Sequence, residues 1–378
     1  MQPTLKAPYP WPGGKSRASH LLWPRFGIGL QAPSNYVEPF AGSLATLLAR
    51  PDWTPGKRYV ETVNDLNLYV VNFWRSIKND PEAVAYWADY PILEADLHAR
   101  HAYLTGADTR EWRDKVRADS EHYDAKLAAY WVWGLCLWIG TGWCSEGEHS
   151  LTIPHIAATG KASPHLMGVH SLTKQLPMLN ANDNGTPKQM GVHSHGMRSP
   201  AIAKDAEVGV HAVSMMRNTK LHDTFINLHT RLRYVRVTCG DWARLLRPSI
   251  TTHFGLTAVL LDPPYAGYED VYVAGKRKKG DPDATLSVSM QVRQWALSNG
   301  ANPLYRIAVC GYGTEHDELL QHGWIKEEWK ANGGFGNQNP ENQNRHLERI
   351  WFSPHCLPVG EPVNPKPYTP PESDHDLL

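Results

Sequence analysis

The chain has 378 residues, enough for one large domain or two ordinary ones with an ample core. Lysine plus arginine and aspartate plus glutamate both total 38, so no global field draws the protein to a polyanion, and anion binding must come from local patches. The five cysteines (136, 144, 239, 310, 356) contain no C-x-x-C pair, which argues against a thiolate metal site and a disulfide framework and fits a reducing cytosol; the N-terminus shows no signal segment, and no stretch approaches the roughly 20 apolar residues of a membrane span.

In chain order, Tyr36-Val37-Glu38 is a strand, and Ser43 to Ala49 reads as a helix opening behind a glycine. Tyr59 to Asn64 is a second strand and Leu66 to Ile77 a second helix, so residues 1–80 form a β-α-β-α unit that starts a parallel sheet. From 81 to 140 the pattern is helical, with Pro81 at a helix start and a Trp-rich apolar segment from Tyr123 to Ile139. Residues 141–217 turn to Gly, Pro, Ser, Asn and His, and periodicity vanishes. Gly-Val-His recurs at 168, 191 and 209 with unequal spacing, which is not a solenoid repeat. That stretch reads as a mobile, mildly basic insertion. Tyr234 to Thr238, Ala258 to Leu261, Arg306 to Cys310 and Arg349 to Phe352 are further strands; Asp241 to Leu246 and Glu315 to His322 are short helices. The tail, 357–378, is rich in proline and acids and is expected to be disordered.

Four constellations carry chemistry. The strand Ala258 to Leu261 runs into Asp262-Pro263-Pro264-Tyr265, where two prolines stop the ladder rigidly at the strand end that binds ligands in open α/β sheets. Such a turn suits a planar exocyclic amine: the Asp262 carboxylate and the Pro263 carbonyl can accept its two N–H groups, and Tyr265 can stack on its ring. Glu38-Pro39-Phe40-Ala41-Gly42-Ser43 joins a strand to a helix, Gly42 permitting close approach of a ligand and the helix N-terminus favouring an anion. Asp65 ends the second strand about 20 residues after that turn, where an acid takes ribose hydroxyls or caps the next helix. Trp11-Pro12-Gly13-Gly14-Lys15 sets an aromatic and a cation beside two glycines, and Lys15 can meet a ligand carboxylate.

Taken in order, W-x-G-G-K, E-P-F-x-G, an acidic strand end and D-P-P-Y after a long insertion resemble the Dam-type (D12 class, alpha group) adenine-N6 DNA methyltransferases, including phage and prophage members, over roughly residues 5–80 and 230–355. Cys239-Gly240-Asp241-Trp242 resembles the family's G-D-F, whose acid contacts the cofactor's adenine. The resemblance implies a doubly wound, Rossmann-like α/β fold that binds S-adenosyl-L-methionine, needs no metal, and carries an inserted, mostly helical target-recognition region. The catalytic domain is then 1–80 with 230–356, and the insertion 81–229. Trp11, Gly14 and Lys15 would border the methionine end; Glu38, Pro39, Phe40 and Gly42 would line the cofactor; Asp65 would take the ribose, and Asp241 with Trp242 the adenine. Asp262, Pro263, Pro264 and Tyr265 would receive a flipped adenine from DNA, expected to be duplex, in the cytoplasm of a bacterium or phage-infected host. The cations Lys276, Arg277, Lys278 and Lys279, some ten residues past that turn, are expected to meet phosphates. Gly134-Leu135-Cys136-Leu137-Trp138 lacks the Asn and Arg of the Dam N-G-L/M-x-R segment, so the target sequence is not carried over. Methylation of RNA adenine or of cytosine N4, and a relative without catalysis, are the alternatives; D-P-P-Y rather than S-P-P-Y favours adenine.

Overall fold

The apolar runs read from the sequence become the middle of one sheet. In the computed structural model, which describes residues 5–11, 13–57, 59–106, 109–138, 143–144, 219–265, 287–329 and 347–359, the strands are β1 (Asn35–Glu38), β2 (Val60–Asp65), β3 (Arg236–Cys239), β4 (Thr257–Leu261), β5 (Tyr305–Tyr312), β6 (Ile325–Glu328) and β7 (Glu348–Phe352). Their order is 3-2-1-4-5-7-6. The first five are parallel, and β7 runs antiparallel between β5 and β6. This is a Rossmann-like, doubly wound sheet whose strand order reverses between β1 and β4, and ligands bind at the carboxyl ends beside such a reversal.

Alternation along each strand explains why both faces are covered. Tyr36, Ala258, Leu260, Ala308, Cys310, Ile350 and Phe352 belong to one buried cluster, and Val37, Val259, Leu261, Ile307, Val309 and Trp351 to the other. A strand buried on both faces reads as a continuous apolar run, as Ala258 to Leu261 does. The first face is covered by α1 (Ser19–Phe26), α2 (Ala45–Leu48), α3 (Leu68–Asn79), α7 (Ala125–Leu137) and α8 (Thr219–Leu232), with α4 (Pro81–Ala88), α5 (Glu94–Thr105) and α6 (Arg110–Ala118) packed alongside; α9 (Val288–Asn299) covers the second. The tryptophans 74, 131 and 133 lie fully buried on the first face.

Several sequence expectations shift. The helix expected from Ser43 to Ala49 is only Ala45–Leu48, because Leu44 takes a left-handed conformation (φ 55°, ψ 23°) that a right-handed helix cannot include. The segments Asp241 to Leu246 and Glu315 to His322 form 3-10 turns at Trp242–Leu246 and Asp317–His322. Four elements went unread: α1 carries Pro24 in its interior, α8 follows directly on the aperiodic stretch, α9 is only half apolar, and β6 (Ile325-Lys-Glu-Glu) is an edge strand without an apolar face. Helices within 81–229 pack onto the sheet's own helices: α4 and α8 join α3, and Phe225 meets Phe73 edge-on at 6.0 Å. The Gly-Val-His stretch, the Lys276 to Lys279 run and the tail from 360 lie outside the described residues.

Ionic groups tie the crossover helices to β2. Glu61, 3% exposed, receives Arg231 at 2.6 and 2.9 Å and Arg50 at 3.1 Å. Both guanidiniums rest on aromatic rings, Arg50 on Trp23 and Tyr59, Arg231 on Trp53. A buried cluster of this kind holds only while every partner is present, because a lone buried charge costs several kcal/mol.

Candidate active site

The ends of β1, β2, β3 and β4 are laced together before any ligand is considered. Asn64, penultimate in β2 and 2% exposed, donates from Nδ2 to the carbonyls of Pro39 (3.1 Å) and Gly240 (2.8 Å) and accepts at Oδ1 from the Thr238 hydroxyl (3.1 Å). One side chain thus fixes the loops after β1 and β3 to β2. The sequence reading passed over it as a mere neighbour of Asp65, although a buried amide at a strand end must find partners for all its polar atoms.

The loop after β1 is equally constrained. The Gly42 N–H donates to Asp65 Oδ2 at 2.9 Å, and the Gly42 carbonyl accepts from the Tyr9 hydroxyl (2.8 Å) and the Trp74 indole (2.9 Å). Gly42 has φ 46°, and a Cβ there would come within 2.4 Å of the Trp11 indole nitrogen. The close approach predicted for Gly42 is therefore to Trp11. The anion-binding reading of the helix N-terminus is also corrected: α2 is a single turn, and the Gly42 N–H already faces a carboxylate.

Asp65 latches this loop. Besides Gly42, its Oδ1 accepts the Asn67 N–H at 2.8 Å, while the cap of α3 is Asn67, whose side chain accepts from Tyr69 and Val70. Asp65 is half-buried, and each oxygen retains a lone pair. Burial pushes its pKa up to about 6, against the pull of the backbone N–H groups of Asn67, Gly42 and Leu66. Across the crevice the ring of Phe40 stacks on Trp242 (5.9 Å between centroids, 27° between planes), and Asp241 is exposed, with Oδ1 capping the 3-10 turn through the Ala243 N–H at 2.8 Å. Glu38 at the end of β1 is 4% exposed and accepts the Tyr36 hydroxyl at 2.9 Å.

Burial raises the Glu38 pKa to about 8, the Tyr36 hydrogen bond opposing it and the Asp262 and Glu61 charges adding to it. The unfolded chain ionises this group near 4.5 while the folded chain still holds its proton, so the folded state loses stability as pH rises from about 4.5 to about 8. Glu38→Gln keeps the acceptor for Tyr36 and removes the titration. The variant should unfold at a higher temperature than the parent at pH 8, by an amount that vanishes near pH 5. Parallel melting curves across that range would show the burial of Glu38 to be free of this cost.

The turn after β4 carries the densest polar network. The Gly14 N–H donates to the Trp11 carbonyl at 3.1 Å, and Gly13 has φ 70°, a left-handed conformation that glycine takes without strain. Gly14 is exposed, whereas Lys15 is 3% exposed and runs inward. Its ammonium donates to the Gly13 carbonyl at 2.7 Å and the Tyr265 hydroxyl at 2.8 Å and pairs with Asp262 Oδ1 at 2.8 Å. Three N–H bonds are thereby spent. Lys15, expected to meet a ligand carboxylate, meets the carboxylate of the Asp-Pro-Pro-Tyr turn. Burial pulls its pKa down, and the Asp262 and Glu348 charges more than reverse that, leaving it above its ordinary value.

Tyr265 is 5% exposed, with its ring edge on Tyr312 at 4.3 Å between centroids. Its ring is thus buried, where the sequence suggested an open stacking face. Its hydroxyl reaches Glu348 Oε2 at 2.9 Å and Asp262 Oδ1 at 3.1 Å. Asp262 keeps 20% of its side chain exposed, and its Oδ2 has no hydrogen bond among the described residues, so the turn opens to the crevice at one oxygen. Pro263 and Pro264 are buried.

Glu348 was missed by sequence reading. The signal was available: in Glu348-Arg-Ile350-Trp-Phe352 a period of two puts the acid on the same buried face as Ile350 and Phe352. Among the described residues no group of three or more His, Cys, Asp or Glu is placed to hold a metal ion, and no helix is long and apolar enough to cross a membrane.

A parallel sheet with a reversed seventh strand, an acid at the end of β2 and an Asp-Pro-Pro-Tyr turn at the end of β4 is consistent with a Rossmann-like methyltransferase fold. Residues 11–139 match the family model of the D12 class N6 adenine-specific DNA methyltransferase, and the match supports methylation of adenine N6 in DNA. S-adenosyl-L-methionine is the cofactor expected of that family. The matched span contains Trp11, Lys15, Glu38, Gly42 and Asp65 and stops before β3; the Asp-Pro-Pro-Tyr turn lies beyond it. No curated protein matched the chain.

Proposed function

We propose that the chain methylates an adenine turned out of duplex DNA, with Asp262 as the residue that draws on the target amine. The observation that carries this reading is the state of the Asp262 carboxylate: one oxygen is fixed by Lys15, and the other has no hydrogen bond among the described residues on a side chain that stays 20% exposed. An adenine N6 is a weak nucleophile because its lone pair is delocalised into the ring. An acceptor on one N–H favours the tetrahedral nitrogen that attack requires, and the carbonyl of Pro263 can take the second N–H. A fixed acceptor acts without reorganising, which is where such a site gains its rate.

The crevice residues fit the cofactor. Phe40 and Trp242 offer an aromatic wall for its adenine, exposed Asp241 an acceptor for that ring's amine, and half-buried Asp65 two lone pairs for ribose hydroxyls. Glu38, Pro39, Gly42, Trp11, Gly14 and Lys15 would line the methionine side. The bound cofactor supplies an electrophilic methyl on a sulfonium. The protein's share is alignment, exclusion of water and the hydrogen bond from the amine to Asp262, which also takes the departing proton.

Residues 1–80 with 230–356 would act as the catalytic domain and 81–229 as the target-recognition region. Lys276 to Lys279 would meet phosphates, and the setting would be the cytoplasm of a bacterium or an infected host. Incubation with labelled S-adenosylmethionine and, separately, duplex DNA, single-stranded DNA and RNA tests the reading. The expected product is N6-methyladenine, formed fastest on duplex, with binding that weakens steeply as salt rises. Label in N4-methylcytosine, or in RNA alone, would replace it with one of the alternatives.

A further inference from the structure

The Lys15 cluster contains a carboxylate for which the reaction as described has no use. Glu348 is the first residue of β7 and 3% exposed, and it lies beyond the family-matched segment. It pairs in register with Tyr312 on β5, whose ring abuts Tyr265. It reaches past β5 to the Asp-Pro-Pro-Tyr turn, where its Oε2 accepts the Tyr265 hydroxyl at 2.9 Å and stands 4.0 Å from the Lys15 ammonium. A buried carboxylate must be compensated to persist, and this one is compensated by the groups that hold Asp262.

Proton counting shows what it does there. The Tyr265 hydroxyl has one proton, and among its hydrogen bonds to described side chains two are to carboxylates, Glu348 at 2.9 Å and Asp262 at 3.1 Å. Its oxygen meanwhile accepts from Lys15 at 2.8 Å. If the proton goes to Glu348, every donor is used once: Lys15 to Gly13, Asp262 and Tyr265, and Tyr265 to Glu348. Asp262 then gives Oδ1 to the ammonium alone and keeps full basicity at Oδ2. Without the Glu348 carboxylate, the Tyr265 proton turns to Asp262, making it a weaker acceptor, and the ammonium loses one of its two counter-charges.

We infer that Glu348 is a positioning residue for methyl transfer: it draws off the Tyr265 proton and shares the Lys15 charge, so that Asp262 is left fixed and undiluted for the target amine. The groups facing it are Lys15, Asp262, Tyr265, and Cys310 and Tyr312 on β5; the next residue, Arg349, pairs outward with Glu328 on β6 at 3.0 Å. Burial raises the Glu348 pKa; the Lys15 charge and the Tyr265 hydrogen bond oppose the rise and the Asp262 charge adds to it.

The inference rests on the proposed role of Asp262, and its test separates the two. Single-turnover methyl transfer on duplex DNA and cofactor affinity are measured from pH 5.5 to 9 for the parent, Glu348→Gln, Tyr265→Phe and the double variant, each checked by thermal unfolding. Glu348→Gln is expected to transfer methyl about tenfold more slowly or worse, with cofactor affinity within a few-fold, and to flatten the acid limb of the profile. On the Tyr265→Phe background the same change should cost little, because the proton it manages is gone. A Glu348→Gln rate equal to the parent's, or a loss of the same size on both backgrounds, overturns the inference while leaving the Asp262 reading intact. A parent that forms no N6-methyladenine removes the reading beneath it. Should Glu348→Gln not fold, Glu348→Asp replaces it: a carboxylate one methylene shorter keeps the charge, so its acid limb should survive while its rate falls.

Discussion

Replacing Asp262 by alanine is expected to slow methyl transfer by about 10²–10⁴-fold while cofactor affinity stays within a few-fold. The two effects separate because Asp262 lies at the end of β4, whereas Glu38, Asp65 and Asp241, proposed for the cofactor, lie at or just past the ends of β1, β2 and β3. The Lys15 ammonium keeps its bonds to Gly13 and Tyr265 and stays 4.0 Å from Glu348, so the network loses one partner and not its cation. Stability should therefore change far less than rate. Asp262→Asn is the stricter comparison: the Lys15 ammonium can only donate, so it holds the amide oxygen and turns the NH₂ toward the amine, and the amide cannot take the proton. Single-turnover assays beside cofactor titrations decide the matter. Parent-like turnover in either variant would remove Asp262 from the chemistry.

The second large effect is expected at Lys15. Lys15→Met substitutes a side chain of similar length and leaves the Asp262 and Glu348 carboxylates with no cation. Breaking a buried pair from one side costs about 3–5 kcal/mol, and the partial exposure of Asp262 moderates that toward the lower figure. Methyl transfer should fall by about 10²-fold or more, because Asp262 loses the bond that orients it. Lys15→Arg is not expected to rescue activity: a planar guanidinium cannot direct donors to Gly13, Asp262 and Tyr265 as a tetrahedral ammonium does. Pairing Lys15→Met with Glu348→Gln should recover part of the stability, since one unmatched charge goes with the cation. Thermal unfolding of the single and double variants reads this directly; equal destabilisation in both would mean that Glu348 does not feel Lys15.

Much of the site was legible because its residues sit where backbone chemistry is distinctive. Two prolines after a run of buried apolar residues mark a strand end whatever the surroundings, and the glycine at 42 with an acid 23 positions later marks the β1 and β2 ends. What those residues touch was less legible. Gly42 was read as making room for a ligand and makes room for Trp11; Asp65 was read as a ribose acceptor or a helix cap, and its oxygens hold the Gly42 and Asn67 N–H groups; Tyr265 was read as an open ring and is a buried hydroxyl partner. Each depends on which loops the sheet brings together, and sequence distance carries no such information. The separations are 250 residues from Lys15 to Tyr265 and 83 from Tyr265 to Glu348.

The sequence by itself determined that this chain builds a parallel sheet, where its strands end and which chemical groups stand at those ends, because alternation, proline and glycine act over a few residues. Only the tertiary structure decided that an ammonium from the first turn and a carboxylate from the last strand converge on the Asp-Pro-Pro-Tyr turn. The physical reason is that burial makes every charge seek a partner, and the identity of that partner is settled by the order in which the strands lie side by side.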